Sequence, residues 1–157
     1  MIIFLSTYLV PLGLIPFMIY QKMIENVHIT KRRERYVPLV ISFMLYGFCY
    51  YLIQRIDIPK LYTAFLFSSM MTVLLTLLIN IKYKISIHMV GIGGLVALIG
   101  YLSFFLRVNL QFYLIVALLL AGLIGTSRLV LKAHTSDEVY TGFIAGFATV
   151  LLTLMIY

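Results

Sequence analysis

Residues 126–142 read TSRLVLKAHTSDEVYTG, and their setting decides what kind of protein this is. Arg128, Lys132, His134, Asp137 and Glu138 crowd into eleven consecutive residues of a chain that is otherwise poor in charge. Apolar runs flank them at 110–126 and 139–157. Each run is long enough to cross a bilayer core, which takes about 17–25 helical residues. Polar groups that would be costly in hydrocarbon, gathered between two such runs, mark a functional site at a membrane boundary.

Working outward, the rest of the chain has the same character. Of its 157 residues, 63% are hydrophobic and 11% charged, and the mean hydropathy is +1.08. A soluble domain of this size carries about a quarter charged residues, and so much apolar surface cannot be hidden inside one small globule. The expected fold is an all-α membrane protein: a single integral membrane domain, 1–157, built as a six-transmembrane-helix bundle. Its spans are expected at about 2–20, 37–53, 61–81, 85–106, 110–126 and 139–157. Alternating segments of about ten residues, the mark of a transmembrane barrel, do not occur. The first run lacks a basic leader and a cleavage site, so it reads as a retained span kinked by Pro11 and Pro16. Met23, Ile24, Val27 and Ile29 suit an interfacial helix before the KRRER cluster at 31–35, and a solvated basic turn suits the same stretch. The single Cys49 excludes an intramolecular disulfide.

Glycines mark where helices approach closely. Gly91, Gly93 and Gly94 fall in the fourth run, Gly122 and Gly125 in the fifth, and Gly142 and Gly146 form a GxxxG in the sixth. Packing within the chain is the expected use, with these three helices as the central bundle. Apart from Ser, Thr and Asn80 the spans carry almost nothing ionisable and show no polar face, which argues against a channel or transporter.

The net charge of +7 sits mainly in the connections. That distribution fits membrane orientation and anionic headgroups, with no nucleic acid as partner. Nine of the twelve lysines and arginines fall in the first, third and fifth connections, against Arg55, Lys60 and Arg107 on the opposite face. The positive-inside rule then places the third and fifth connections together on the cytoplasmic side.

Those two connections hold the candidate chemistry. Arg128 offers a planar fork of donors to phosphate oxygens, while Lys82, Lys84 and Lys132 supply point charges. Ser86 sits where the fourth helix begins, so its hydroxyl and the unpaired N–H groups of the first turn can receive an anion. His134 precedes Asp137 and Glu138 by three and four residues, both spacings that put a carboxylate on the histidine's own helix face. Such a carboxylate fixes the tautomer and exposes the other ring nitrogen as a nucleophile. The bland alternative for these acids is capping of the sixth helix, with one acid capping and the other orienting. His28 reads as solvated. His88, His134, Asp137 and Glu138 lack the spacing of a metal motif, and the cations around them favour an anion.

Ser127-Arg128, five residues, His134 and a following acid resemble the third signature of the type 2 phosphatidic acid phosphatase superfamily, Ser-Arg-x5-His-x3-Asp. Ile85-Ser86-Ile87-His88 is similar to a reduced form of its second signature, Pro-Ser-Gly-His. The order of spans around the signatures agrees as well. The resemblance implies a lipid phosphatase that needs neither metal nor cofactor. In it His134 attacks phosphorus, Glu138 or Asp137 orients it, and His88 protonates the leaving oxygen. Ser86 and Arg128 hold the phosphoryl oxygens, with Lys84 or Lys82 assisting. The substrate implied is a phosphorylated lipid: phosphatidate, phosphatidylglycerol phosphate or polyprenyl diphosphate, met in the cytoplasmic (inner) membrane of a bacterium. The departures are Ile85 and Ile87 for the proline and glycine, Glu138 for the aspartate, and the absence of the first signature, Lys-x6-Arg-Pro. That absence motivates a second expectation, a non-catalytic relative that binds lipid phosphate or scaffolds a partner.

Overall fold

The structure, a computed structural model, describes residues 32–157, which are helical apart from turns and short links. A 3-10 turn, Arg32–Arg35, leads into α1 (Tyr36–Ile53), followed by α2 (Lys60–Lys82), α3 (Ile87–Phe104), α4 (Gln111–Val130) and α5 (Ser136–Ile156). All five α-helices are long and apolar enough to cross a membrane, which points to a membrane protein. The described residues thus hold five such helices where six are expected. The missing run, 2–20, and the segment proposed to lie in the interface fall outside the described residues.

Helices α1, α2 and α3 match the expected runs to within two residues, and the polar stretch makes the main difference. Helix α4 continues to Val130 rather than stopping at 126, and α5 opens at Ser136 rather than 139. Ser127 stays helical because its hydroxyl donates to the Ile124 carbonyl at 2.9 Å, inside its own helix. Arg128 lies in the last turn, where the helix dipole favours a cation. Helix α5 starts early because Thr135 caps it. The Thr135 hydroxyl accepts from the Glu138 N–H at 3.4 Å, and the Glu138 carboxylate accepts from the Thr135 N–H at 3.4 Å. This reciprocal capping box satisfies two otherwise unpaired N–H groups. Thr135→Ala is expected to lower stability by about 1 kcal/mol, read as an earlier thermal transition in detergent.

The chain divides into two compact units, the first ending at Lys82 and the second running from Tyr83 to Tyr157. In the first, α1 packs on α2 around Cys49, Ile53 and Leu66, with Tyr46, Tyr50 and Ile58 against them. The Tyr36 hydroxyl donates to the Asn80 carbonyl at 3.2 Å and ties the two helix ends. Contrary to expectation, α2 has a polar face: Ser68, Thr72, Thr76 and Asn80 are all buried at a spacing of four. The hydroxyls of Ser68, Thr72 and Thr76 donate to carbonyls one turn back, at 2.7–2.8 Å. Each is satisfied within its own helix, so none demands water.

In the second unit α3, α4 and α5 pack together, as the glycine pattern suggests. The closest crossing is α3 on α5. A Cβ at Gly146 would stand 2.0 Å from the Val90 carbonyl oxygen, and one at Gly93 would stand 2.3 Å from that of Phe143. The GxxxG is therefore used inside the chain. Met89, Ile92, Ala121 and Val139 form the core beneath the polar end, with Ile124, Leu129 and Phe143 around them.

Candidate functional site

The site grows from how α4 ends. Lys132 takes a left-handed backbone, φ 50°. Its N–H bonds the Leu129 carbonyl at 2.9 Å, and the Ala133 N–H bonds that of Arg128 at 3.1 Å. This is the Schellman turn, which normally places glycine at the left-handed position. The Arg128 carbonyl also receives the His134 N–H at 3.4 Å. The spacing from Arg128 to His134 is thus the length of one helix-ending turn, and the turn folds His134 back over Arg128. Lys132→Gly is expected to relieve about 1 kcal/mol of left-handed strain, raising the thermal midpoint.

The His134 ring meets Glu138. Nδ1 and Oε2 lie 2.6 Å apart, with the side chains 6% and 15% exposed. A carboxylate can only accept, so Nδ1 carries the proton in this contact, and the contact fixes the orientation of the ring. The same oxygen, Oε2, also takes the Thr135 N–H. One carboxylate therefore both caps α5 and orients His134, while Asp137 is exposed beside it.

Ser86 stands at the N-cap of α3 with an extended backbone and is fully buried. Its N–H donates to the Glu138 carbonyl at 3.1 Å, and Gly142 leaves room for this approach, since a Cβ there would lie 2.8 Å from the Ser86 carbonyl oxygen. Ser86 is thereby held against the residue that orients His134. Its hydroxyl makes no capping bond. Among the described residues, Ser86 Oγ and Arg128 Nε are the buried side-chain polar atoms with no hydrogen-bond partner. Leaving such groups unpaired costs about 1–3 kcal/mol each. Both can donate, so each would be satisfied by a hydrogen-bond acceptor.

Lys84, expected as a phosphate contact, makes two contacts inside the protein. Its Nζ donates to the Ala133 carbonyl at 3.0 Å and lies 4.0 Å from Glu138 Oε2. Ile85, which stands where the resembled signature has proline, is buried in the protein. His88 is exposed in the first turn of α3, and Lys82 is exposed at the end of α2 in the first unit. Contact thus unites Lys84, Ser86, His134 and Glu138, with Arg128 joined through its carbonyl. The capping role of Thr135 is legible as Thr-x-x-Glu ahead of an apolar run, whereas nothing in the sequence marks Ala133 as the acceptor for Lys84. No group of three His, Cys, Asp or Glu side chains converges among the described residues. Compared with known proteins, the chain matches no family profile, no curated sequence and no solved structure.

Proposed function

We propose that this chain is a six-helix lipid phosphatase of the bacterial cytoplasmic membrane, related to the type 2 phosphatidic acid phosphatases, with its site facing the cytoplasm. The observation that carries the reading is the 2.6 Å His134–Glu138 contact at the same helical end as the two unpartnered buried atoms, Ser86 Oγ and Arg128 Nε. A histidine held by a carboxylate, at the end that also carries two buried donors, suits phosphoryl transfer, which relies mainly on positioning and charge stabilisation.

In this reading His134 Nε2 forms a bond to phosphorus as the bond from phosphorus to the lipid oxygen breaks. The leaving oxygen takes a proton from His88. Glu138 stabilises the positive charge developing on the imidazole, while Ser86 and Arg128 hold the phosphoryl oxygens. Water then gives a proton back to His88 as it attacks phosphorus, the nitrogen–phosphorus bond breaks, and phosphate leaves with both histidines restored. An apolar groove of about 260 Å³ between α3, α4 and α5 supports a lipid as the substrate; Val96, Gly100, Leu114 and Phe147 are among its walls. Val96 lies about 15 Å along α3 from Ser86 at 1.5 Å per residue, within reach of a long tail whose headgroup sits at Ser86.

The test is phosphate release by purified protein from phosphatidate, phosphatidylglycerol phosphate and polyprenyl diphosphate. Turnover that survives both His134→Ala and His88→Ala would overturn the mechanism. Lipid-phosphate binding that depends on Arg128, with no release from any of the three, would leave the non-catalytic reading in its place.

A further inference from the structure

The lysine before α3 makes two contacts around His134. Lys84 Nζ donates to the carbonyl of Ala133, the residue preceding His134, at 3.0 Å across 49 residues of sequence. It also lies 4.0 Å from Glu138 Oε2, the oxygen that holds His134 Nδ1 at 2.6 Å. One ammonium therefore bonds the backbone just before His134 and lies within ion-pair range of the carboxylate that holds its ring. With the Lys84 side chain 30% exposed and that of Glu138 15% exposed, the contact is partly shielded from water.

We propose that Lys84 is a positioning residue that fixes both the placement and the protonation of His134. The proposal rests on the phosphatase reading for its catalytic meaning, but the contacts exist independently of it. Two physical effects follow from the geometry. The bond to Ala133 pins the turn from which the imidazole projects, and a displacement of about 1 Å at a reacting group can cost about 100-fold in rate. The ammonium also draws on the charge of the Glu138 carboxylate. Without it, that charge is opposed mainly by the ring, and an adjacent carboxylate then favours the imidazolium over the neutral nucleophile. The titratable and charged groups that the surrounding segments bring to this end are Lys84, His88 in the first turn of α3, Arg128 in the last turn of α4, Lys132 in the turn, and Asp137 and Glu138 in the first turn of α5. Among them, Glu138 contacts the ring and Lys84 lies close to that carboxylate, so removing Lys84 changes the balance of charge at His134.

The experiment compares wild type, Lys84→Met and Lys84→Arg in detergent. It follows the His134 ring by nitrogen-15 NMR across pH, with the resonance assigned by its loss in His134→Ala, and measures phosphate release in parallel. Methionine keeps much of the stem and removes the charge; arginine restores a charged donor. In Lys84→Met the protonation midpoint of His134 is expected to move to higher pH, with the acid limb of the rate profile moving the same way. Turnover number should fall about 100-fold with KM unchanged, and Lys84→Arg should recover most of the loss. A raised KM with unchanged turnover number would make Lys84 a phosphate ligand and overturn the proposal. So would a His134 midpoint in Lys84→Met identical to wild type. If wild type releases no phosphate, the phosphatase reading fails by itself, and the NMR titration still decides whether Lys84 governs His134.

Discussion

Replacing His134 with alanine is expected to lower phosphate release by on the order of 10^4-fold or more, the scale of loss when a covalent nucleophile is removed. The protein should remain folded. The Glu138 carboxylate that loses the imidazole keeps the Thr135 N–H at 3.4 Å and the Lys84 ammonium at 4.0 Å, so the cap on α5 survives. The Arg128 carbonyl keeps its bonds from the backbone N–H groups of Ala133 and residue 134. Rate and stability are therefore expected to separate: the thermal midpoint moves little while turnover falls to background. Glu138→Gln tests the partner. It keeps the shape of the cap but removes the charge that stabilises the imidazole as it becomes positive, so turnover should fall while the helix holds. Phosphate release in His134→Ala within about tenfold of wild type would exclude His134 as the nucleophile. Phosphate covalently trapped on a different side chain would move the site.

Much of this arrangement is legible in the sequence because hydrocarbon is an exacting solvent. Long runs without charge can be satisfied there as helices, and both termini of α1 and α2 fall within a residue of the expected runs. Parity alone places Ser86 and His134 on one membrane face in the expected six-span topology. The remainder depends on three-dimensional direction, which composition does not carry. Residues 127–138 read as a polar connection, yet Ser127–Val130 continues α4 and Ser136–Glu138 opens α5, where Ser127 and Thr135 bond to nearby backbone. Gly91 and Gly93 look equivalent in sequence, but a Cβ at Gly91 meets nothing within 4 Å whereas one at Gly93 collides with Phe143. The buried hydroxyl stripe of α2 lies in plain view at 68, 72 and 76 and is hidden by averaged hydropathy, since the flanking apolar residues dominate. The role of Lys84 is still less visible: its acceptor is a backbone carbonyl, and every residue has one.

The second large effect is expected at Gly146. An added Cβ would stand 2.0 Å from the Val90 carbonyl oxygen and 2.7 Å from its carbon. Those atoms are helix backbone and cannot rotate away as a side chain would, so Gly146→Ala requires α3 and α5 to part. The same crossing offers little slack nearby, because a Cβ at Gly93 would stand 2.3 Å from the Phe143 carbonyl oxygen and one at Gly142 2.8 Å from that of Ser86. Overpacking usually costs about 1–3 kcal/mol, occasionally more, and a backbone-to-backbone clash belongs at or beyond the upper end. Gly122→Ala supplies the contrast. It is exposed on α4 with nothing within 4 Å of the new carbon, so there alanine should help by up to about 1 kcal/mol through helix propensity alone. The same chemical change is thus expected to shift the unfolding midpoint in opposite directions at two glycines of one unit. Because the Ser86–Glu138 bond sits at the end of that crossing, Gly146→Ala should also loosen the packing around Ser86 and, on the proposed function, depress phosphate release, whereas Gly122→Ala should leave both intact. Equal midpoints for the two variants in detergent would mean that α3 and α5 do not meet backbone to backbone, and the placement of Ser86 against Glu138 would fall with that crossing.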